Sequence, residues 1–322
     1  MSVYGFRAVD NLYEYTSYTY SFNFLTAFAL LTGVYTIFSF YITIRMCIFY
    51  LNRREAVKNG LRADVFRLFL MMQVWNAFHV FLDFLIVRIP LTSIFTAYCA
   101  QSKPEVLLKT LTMLFTGFAY ASHILTLMFC LQRVLLIYAT EYQKETISKV
   151  LDVLCPLLAL LAHCLGIPHV LTKNSCFQMA SPFPFGAVVI TSSRDRHDVP
   201  IYTIIYLICI HLMILLILAT TCLMFAKLNQ KRRMSSELNT KYNSTAEKTL
   251  TATMVLILLP IVMPAILSFA AILNYTFYSH LFLLRSLCLD ARAHVVSIYF
   301  YYTHPIFKSK RSESKVVGSN GL

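Results

Sequence analysis

Four charged side chains stand where an apolar chain least tolerates them. Asp83, Arg285, Asp290 and Arg292 fall within or at the ends of long hydrophobic runs, in company with His79, His123, His163, His169, His211, His294 and His304. Imidazoles and carboxylates together invite a metal or haem reading. A zinc or di-iron site needs ligands converging at fixed spacing such as HExxH, and the sequence has no such set. It also lacks a nucleophile motif, a glycine-rich phosphate loop and paired catalytic carboxylates. The expectation is a chain that is no enzyme and uses no metal or cofactor. Its histidines then serve mostly as buried partners of hydroxyls or carbonyls.

What remains for the charges is internal pairing or recognition. Asp83 lies eighteen residues into its run, about 27 Å along a helix. Arg285 lies four residues into a later run from the opposite side, about 6 Å deep. The two depths match. They either pair, contact a ligand together, or reach separately for water. Asp290, about 14 Å deep, is expected to meet Asn76, which sits at a similar depth. Arg292 is two residues further on and points elsewhere, so it does not neutralise Asp290. His79 and Asp83, four apart, share a helix face and form a polar patch opening outward.

The elements that must position these residues follow from composition. The chain has 322 residues, 58% hydrophobic and 13% charged, with mean hydropathy +0.63, far from the balance of a soluble domain. The excess is gathered into runs of the roughly 20 residues needed to cross about 30 Å of hydrocarbon. Seven are read: Phe22–Ile44, Val65–Val87, Val106–Leu131, Val150–Val170, Ile201–Phe225, Thr249–Leu273 and Leu281–Thr303. None alternates as barrel strands would. The fold class expected is an all-α membrane protein, a seven-transmembrane-helix bundle. No signal-peptide pattern precedes the first run, which is expected to be retained as an anchor. Residues 1–21 form an extracellular segment, 22–307 the bundle and 308–322 a cytoplasmic tail.

A net charge of +13 raises nucleic-acid binding, but the basic residues sit between apolar runs rather than on a soluble patch. They are read as loops. Nineteen fall on the side holding Arg53, Arg54 and Lys227–Lys248; seven, Arg88 among them, fall on the other. Basic residues favour the cytoplasm, which places the N-terminus outside and the C-terminus inside. Seven of nine cysteines lie in or at the ends of runs. Cys99 and Cys176 fall in exterior loops and are expected to pair in that oxidising compartment; otherwise they are two unrelated cysteines. The loop LTKNSCFQMASPFPFGAVVI is read as a short hairpin over the bundle or an aromatic cap.

Three segments carry a resemblance. RIPLTSIFTAYCAQSKPEVLLK (Arg88–Lys109), SPFPFGAVVI (Ser181–Ile190) and RSLCLDARAHVVSIYFYYTHPIFK (Arg285–Lys308) are similar to the corresponding parts of nematode serpentine chemoreceptors, class U, a G-protein-coupled-receptor-like family. The sequence departs from related endings in having Ser286 where proline often follows the arginine, and it lacks the acid–Arg–Tyr triplet and NPxxY of rhodopsin-like receptors. The resemblance implies a chemosensory receptor in the plasma or ciliary membrane of sensory cells, binding an unknown small molecule and activating a heterotrimeric G protein. On that reading His79, Asp83, Thr116, Tyr120, His123, Arg285 and Asp290 are candidates to line the ligand pocket. Arg133, Lys231, Arg232 and Arg233 face the G protein. Pro260 and Pro264, inside the sixth run, form either a moving hinge or a static kink. Arg133 lies twenty-seven residues past Val106, about 40 Å along a helix and so at the cytoplasmic headgroup level, as a signalling residue or a plain anchor. A transporter or channel is the alternative function.

Overall fold

In the computed structural model, residues 7–52, 62–101, 105–172, 174–191, 201–234, 241–273, 275–304 and 306–307 are described. Among them, six helices are long and apolar enough to cross a membrane. They are α1 (Phe24–Asn52), α2 (Ala63–Asp83, prolonged to Leu91), α3 (Glu105–Tyr138), α4 (Glu141–Cys164), α5 (Ile201–Met234) and α6 (Lys241–Ile261). α7 (Tyr275–Asp290) continues through a π-turn, Ala291–Val295, into Val296–Thr303. This seventh stretch is as long as the others but carries Arg285, Asp290 and Arg292. The helices outrun the sequence-based runs at several ends; α1, for instance, continues eight residues beyond Ile44 to Asn52.

Local signals explain the boundaries. Asn23 Oδ1 accepts the Thr26 N–H at 3.0 Å and caps α1. Gln143 Oε1 accepts the Thr140 N–H at 2.9 Å at the start of α4. α6 contains Pro260 and stops at Ile261, and the chain resumes as Met263–Leu273 with Pro264 in its first turn, where a missing N–H is tolerated. Near Pro90 the ladder of α2 widens into a π-turn, Phe84–Arg88. Such adjustments re-satisfy the backbone around a proline.

α3 is the axis. It packs on α2, α4 and α5, and the buried share of the apolar window falls from 67% in α3 to 28% in α4 and α5. The outer faces of those two helices present Val153, Leu157, Leu160, Ile208, Leu212 and Leu215. Apolar surface on that scale requires a cover, and lipid supplies it. α3 and α4 approach closely because Gly166 and Gly117 leave room: a Cβ on Gly166 would lie 2.6 Å from the Met113 carbonyl.

One end of the bundle is capped. β2 (Ser175–Gln178) and β3 (Val188–Thr191) form an antiparallel hairpin, and β1 (Arg7–Ala8) adds beside β2. The hairpin anticipated in this loop is present, and it has aromatic packing as well. Phe183 packs on Phe282 of α7, and Phe185 stacks on Tyr15 at 4.7 Å. Gly186, at φ +89°, turns the loop against the Tyr18 ring, where a Cβ would meet carbon at 2.6 Å. The Cys99–Cys176 disulfide ties this cap to the helix Thr96–Gln101, with the Cα atoms 5.9 Å apart. Buried apolar residues gather in two clusters, one under the cap and one in the middle and opposite end.

Because the two cysteines share one bond, Cys99→Ser, Cys176→Ser and the double variant should lower surface expression to the same extent. Loss of a native disulfide typically costs about 2–5 kcal/mol. Additive losses, or equal free-thiol labelling with and without reductant, would contradict the shared bond.

Candidate functional site

Between α1, α2 and α7, beneath the cap, lies a chain of alternating charges. Arg285 Nη1 donates to Asp83 Oδ1 at 2.5 Å, and Arg88 Nε donates to the other oxygen, Oδ2, at 3.1 Å. Arg88 then turns its outer nitrogens to Asp290, Nη1 to Oδ2 at 2.8 Å and Nη2 to Oδ1 at 2.6 Å. That bidentate fork is the strong geometry for a guanidinium and a carboxylate. Arg88 Nη2 also reaches the Ser286 carbonyl at 3.3 Å, the residue that replaces the proline of related endings. Tyr35 of α1 donates its hydroxyl to Asp290 Oδ2, and His294 Nε2 lies 3.6 Å from Oδ1 and 3.3 Å from Thr36 Oγ1. Two acids and two arginines sum to zero charge.

This site corrects three sequence-based expectations. The sequence puts Arg88 in an exterior loop, yet its side chain is 1% exposed. The π-turn Phe84–Arg88 continues the helix and swings the guanidinium inward. Asp290 does not meet Asn76; Arg88 occupies it, and Asn76 Oδ1 instead accepts the Ser122 hydroxyl at 2.5 Å. Of the alternatives left open for Asp83 and Arg285 at their matched depth, the structure has them paired. The patch of His79 and Asp83 is closed rather than open outward, both residues being buried. Pro90, just past the arginine, is the one sequence signal that the helix adjusts there.

A second polar layer lies deeper. Arg292, carried on the π-turn of α7, donates Nη2 to the Ser122 carbonyl at 2.8 Å and to Thr126 Oγ1 at 2.6 Å. His123 donates Nδ1–H to the Ala119 carbonyl at 2.7 Å, leaving Nε2 to accept from Arg292 Nη1 at 3.4 Å. His79 packs on Phe115 at 5.1 Å, and neither of its ring nitrogens has a hydrogen-bond partner among the described residues. His163 and His211 bond carbonyls of their own helices, of Ala159 and Leu207. Of the remaining pocket candidates, Thr116 is buried on α3, and Tyr120 meets Tyr206 edge-on at 5.1 Å. Neither hydrogen-bonds to the ionic chain. Among the described residues no three His, Cys, Asp or Glu side chains gather as metal ligands.

At the uncapped end a separate constellation joins α2, α3 and α4. Gln132 Nε2 donates to Asp64 Oδ2 at 3.3 Å, Arg62 pairs with Asp64 at 3.2 Å and donates to the Lys144 carbonyl, and Arg67 pairs with Asp152. Arg133, beside Gln132, is half-buried. Asp64 does not stand out in the sequence, although it faces the position next to Arg133. Lys231, Arg232 and Arg233 lie in the last turns of α5, and their side chains fall outside the described residues. Pro260 is buried, and Pro264 half-buried beyond the break in α6.

Apolar helices around a buried ionic chain, tied at one end by a disulfide-bonded cap, describe a multi-pass membrane protein. The family of serpentine type 7TM GPCR chemoreceptors called Sru matches residues 9–310. The chain belongs to that family. It is similar to serpentine receptor class U-26 of Caenorhabditis elegans, with 24% identity over 164 residues, 48% of this chain and 56% of that protein. The chain thus spans a little over half the length of that curated relative.

Breaking a buried pair on one side leaves a bare charge, which costs about 3–5 kcal/mol, whereas replacing both partners with apolar residues costs far less. Arg88→Met and Asp290→Leu should each lower the melting temperature of the purified receptor sharply. The double variant should recover much of the loss in the same thermal-unfolding measurement. Strictly additive losses would show that the two side chains are not coupled.

Proposed function

We propose that the protein is a chemosensory receptor with seven membrane-crossing helices, its capped end outside and its C-terminus in the cytoplasm. It binds a small molecule in the capped half of the bundle and activates a heterotrimeric G protein at the other end. The single observation that carries this reading is the family match across residues 9–310. Three features support the details. With Arg88 placed inside the bundle, the basic residues favour the side of the C-terminus nineteen to six by sequence. The disulfide suits an oxidising exterior. α7 and its continuation, 275–303, are long enough to span, with their charges turned onto α2 and α3 rather than toward lipid.

Within the reading, Asp83, Arg285 and Asp290, with Arg88 added, form the floor of the ligand site. His79, Thr116, Tyr120 and His123 line the wall along α2 and α3. Ligand groups that compete for either carboxylate or either guanidinium loosen the link between α2 and α7. That link is the two-state element whose equilibrium a ligand can bias. The break at Val262, between Pro260 and Pro264, serves as the hinge about which α6 swings. Arg133 contacts the G protein beside the Gln132–Asp64 bond, with the basic end of α5, Lys231, Arg232 and Arg233, completing the surface. A transporter reading gains no support from the family match.

An epitope placed after Leu322 should stain only permeabilised cells, and staining of intact cells would reverse the topology. In cells carrying a promiscuous G protein, a screen of small water-soluble and volatile molecules should yield compounds that raise second messenger through the wild-type chain. The response should fall at least tenfold with Arg133→Ala at equal surface expression. Ligand-driven current or substrate flux without any G protein would overturn the receptor reading.

A further inference from the structure

The charges inside the bundle do not all cancel. Asp83 and Asp290 are the only acidic residues deep within the apolar runs, and Arg285 and Arg88 neutralise both. Arg292 remains. It is 2% exposed and, among the described residues, faces no carboxylate; its partners are a carbonyl, a hydroxyl and an imidazole nitrogen. It lies eleven residues past Leu281, about 16 Å down the helix and hence near the middle of a 30 Å hydrocarbon layer. A guanidinium without a counter-charge is costly at that depth.

The surrounding unpartnered atoms are mostly donors. Arg292 Nε, Asn76 Nδ2 and Gln73 Nε2 have no hydrogen-bond partner among the described residues, and neither ring nitrogen of His79 has one. The first three can only donate, and a neutral His79 adds one N–H donor and one acceptor nitrogen. Gln73, Asn76 and His79 stand three apart on α2, so they share one face, and all are 4% exposed or less. Asn76 is joined to the Arg292 site through Ser122, whose hydroxyl it accepts and whose carbonyl accepts from Arg292. The amide oxygens of Gln73 and Asn76 are used, by Ser297 and Ser122, while their NH2 groups and Arg292 Nε are left to donate. One uncompensated charge sets the valence of what would bind.

We propose that the centre of the bundle holds a binding site for a small monovalent anion, a halide or the carboxylate of a small organic acid. Arg292 supplies the charge, and Asn76 and His79 supply the flanking donors. The site is distinct from the neutral Asp83–Arg88–Asp290–Arg285 chain above it and does not depend on the receptor reading. Bound anion completes the hydrogen bonding of α2, α3 and α7 at one level and stabilises their packing.

The test uses the purified full-length protein in lipid nanodiscs, with a bulky sulfonate as the only anion and constant ionic strength. Chloride, bromide or acetate is then titrated in, while thermal unfolding and the fluorescence of Trp75, the single tryptophan of the chain, are followed. At saturation the melting temperature should rise on the order of 5 °C. A response to chloride and bromide identifies a halide site; one confined to acetate identifies a carboxylate site. Arg292→Gln should abolish the rise. Asn76→Asp, which supplies the missing negative charge from the protein itself, should be as stable in sulfonate as the anion-saturated wild type and should respond to no anion. The proposal is overturned if the wild type unfolds at one temperature in every anion, or if Arg292→Gln retains the full response.

Discussion

A carboxylate held by two guanidiniums organises this molecule. Asp83 gives one oxygen to Arg285 and the other to Arg88, and Arg88 passes the connection on to Asp290. In an apolar bundle, charges of this kind persist when each finds an opposite charge or other hydrogen-bonding partners close by. The helices carrying them are therefore fixed in depth and rotation relative to one another. α2 and α7 are locked at matched levels, and Tyr35 and Thr36 bring α1 to the same place. Dispersion and lipid exclusion fill in the rest of the packing but would tolerate a slipped register. The ionic chain would not.

Two π-turns make that geometry reachable. A regular helix through Phe84–Arg88 would carry the last residue around the axis by a different angle, as would one through Ala291–Val295. Each widened turn changes the rotation of the helix beyond it. At α2 the consequence is that Arg88 faces inward; at α7 it is that Arg292 and His294 address α3 and α1 while Asp290 addresses α2. The cap then closes over this layer with an apolar cluster of its own, built on Phe177, Val188 and Phe282.

The dependence on helix phase governs how much is legible in the sequence. Six apolar helices, the lone pair of loop cysteines and the matched depth of Asp83 and Arg285 are legible, because each rests on length, position between runs or depth along a regular helix. That the two charges pair is one of the alternatives the depth allows. Arg88 and the partner of Asp290 are not legible. Their directions depend on the phase of the helix, and a π-turn resets that phase without any change in composition. Asp64 escapes for another reason: it sits at a helix start, where an acidic residue ordinarily needs no further partner, and its bond to Gln132 spans 68 positions of sequence. The hairpin and the aromatic cap, alternatives by sequence, are one structure, since the same loop pairs its backbone and packs its phenylalanines.

The edge strand β1 sets an order of events. Ala8 is paired with Phe177, a segment made about 170 residues later, and Val9 donates to the Cys176 carbonyl at 3.0 Å. The beginning of the chain has no seat until the hairpin exists, and the hairpin in turn is anchored by the bond to Cys99. During synthesis the first residues must wait through the insertion of four helices. The cap thus cannot close before the hairpin that follows α4 is made, and a chain with its cap in place has already brought its first four helices to their stations.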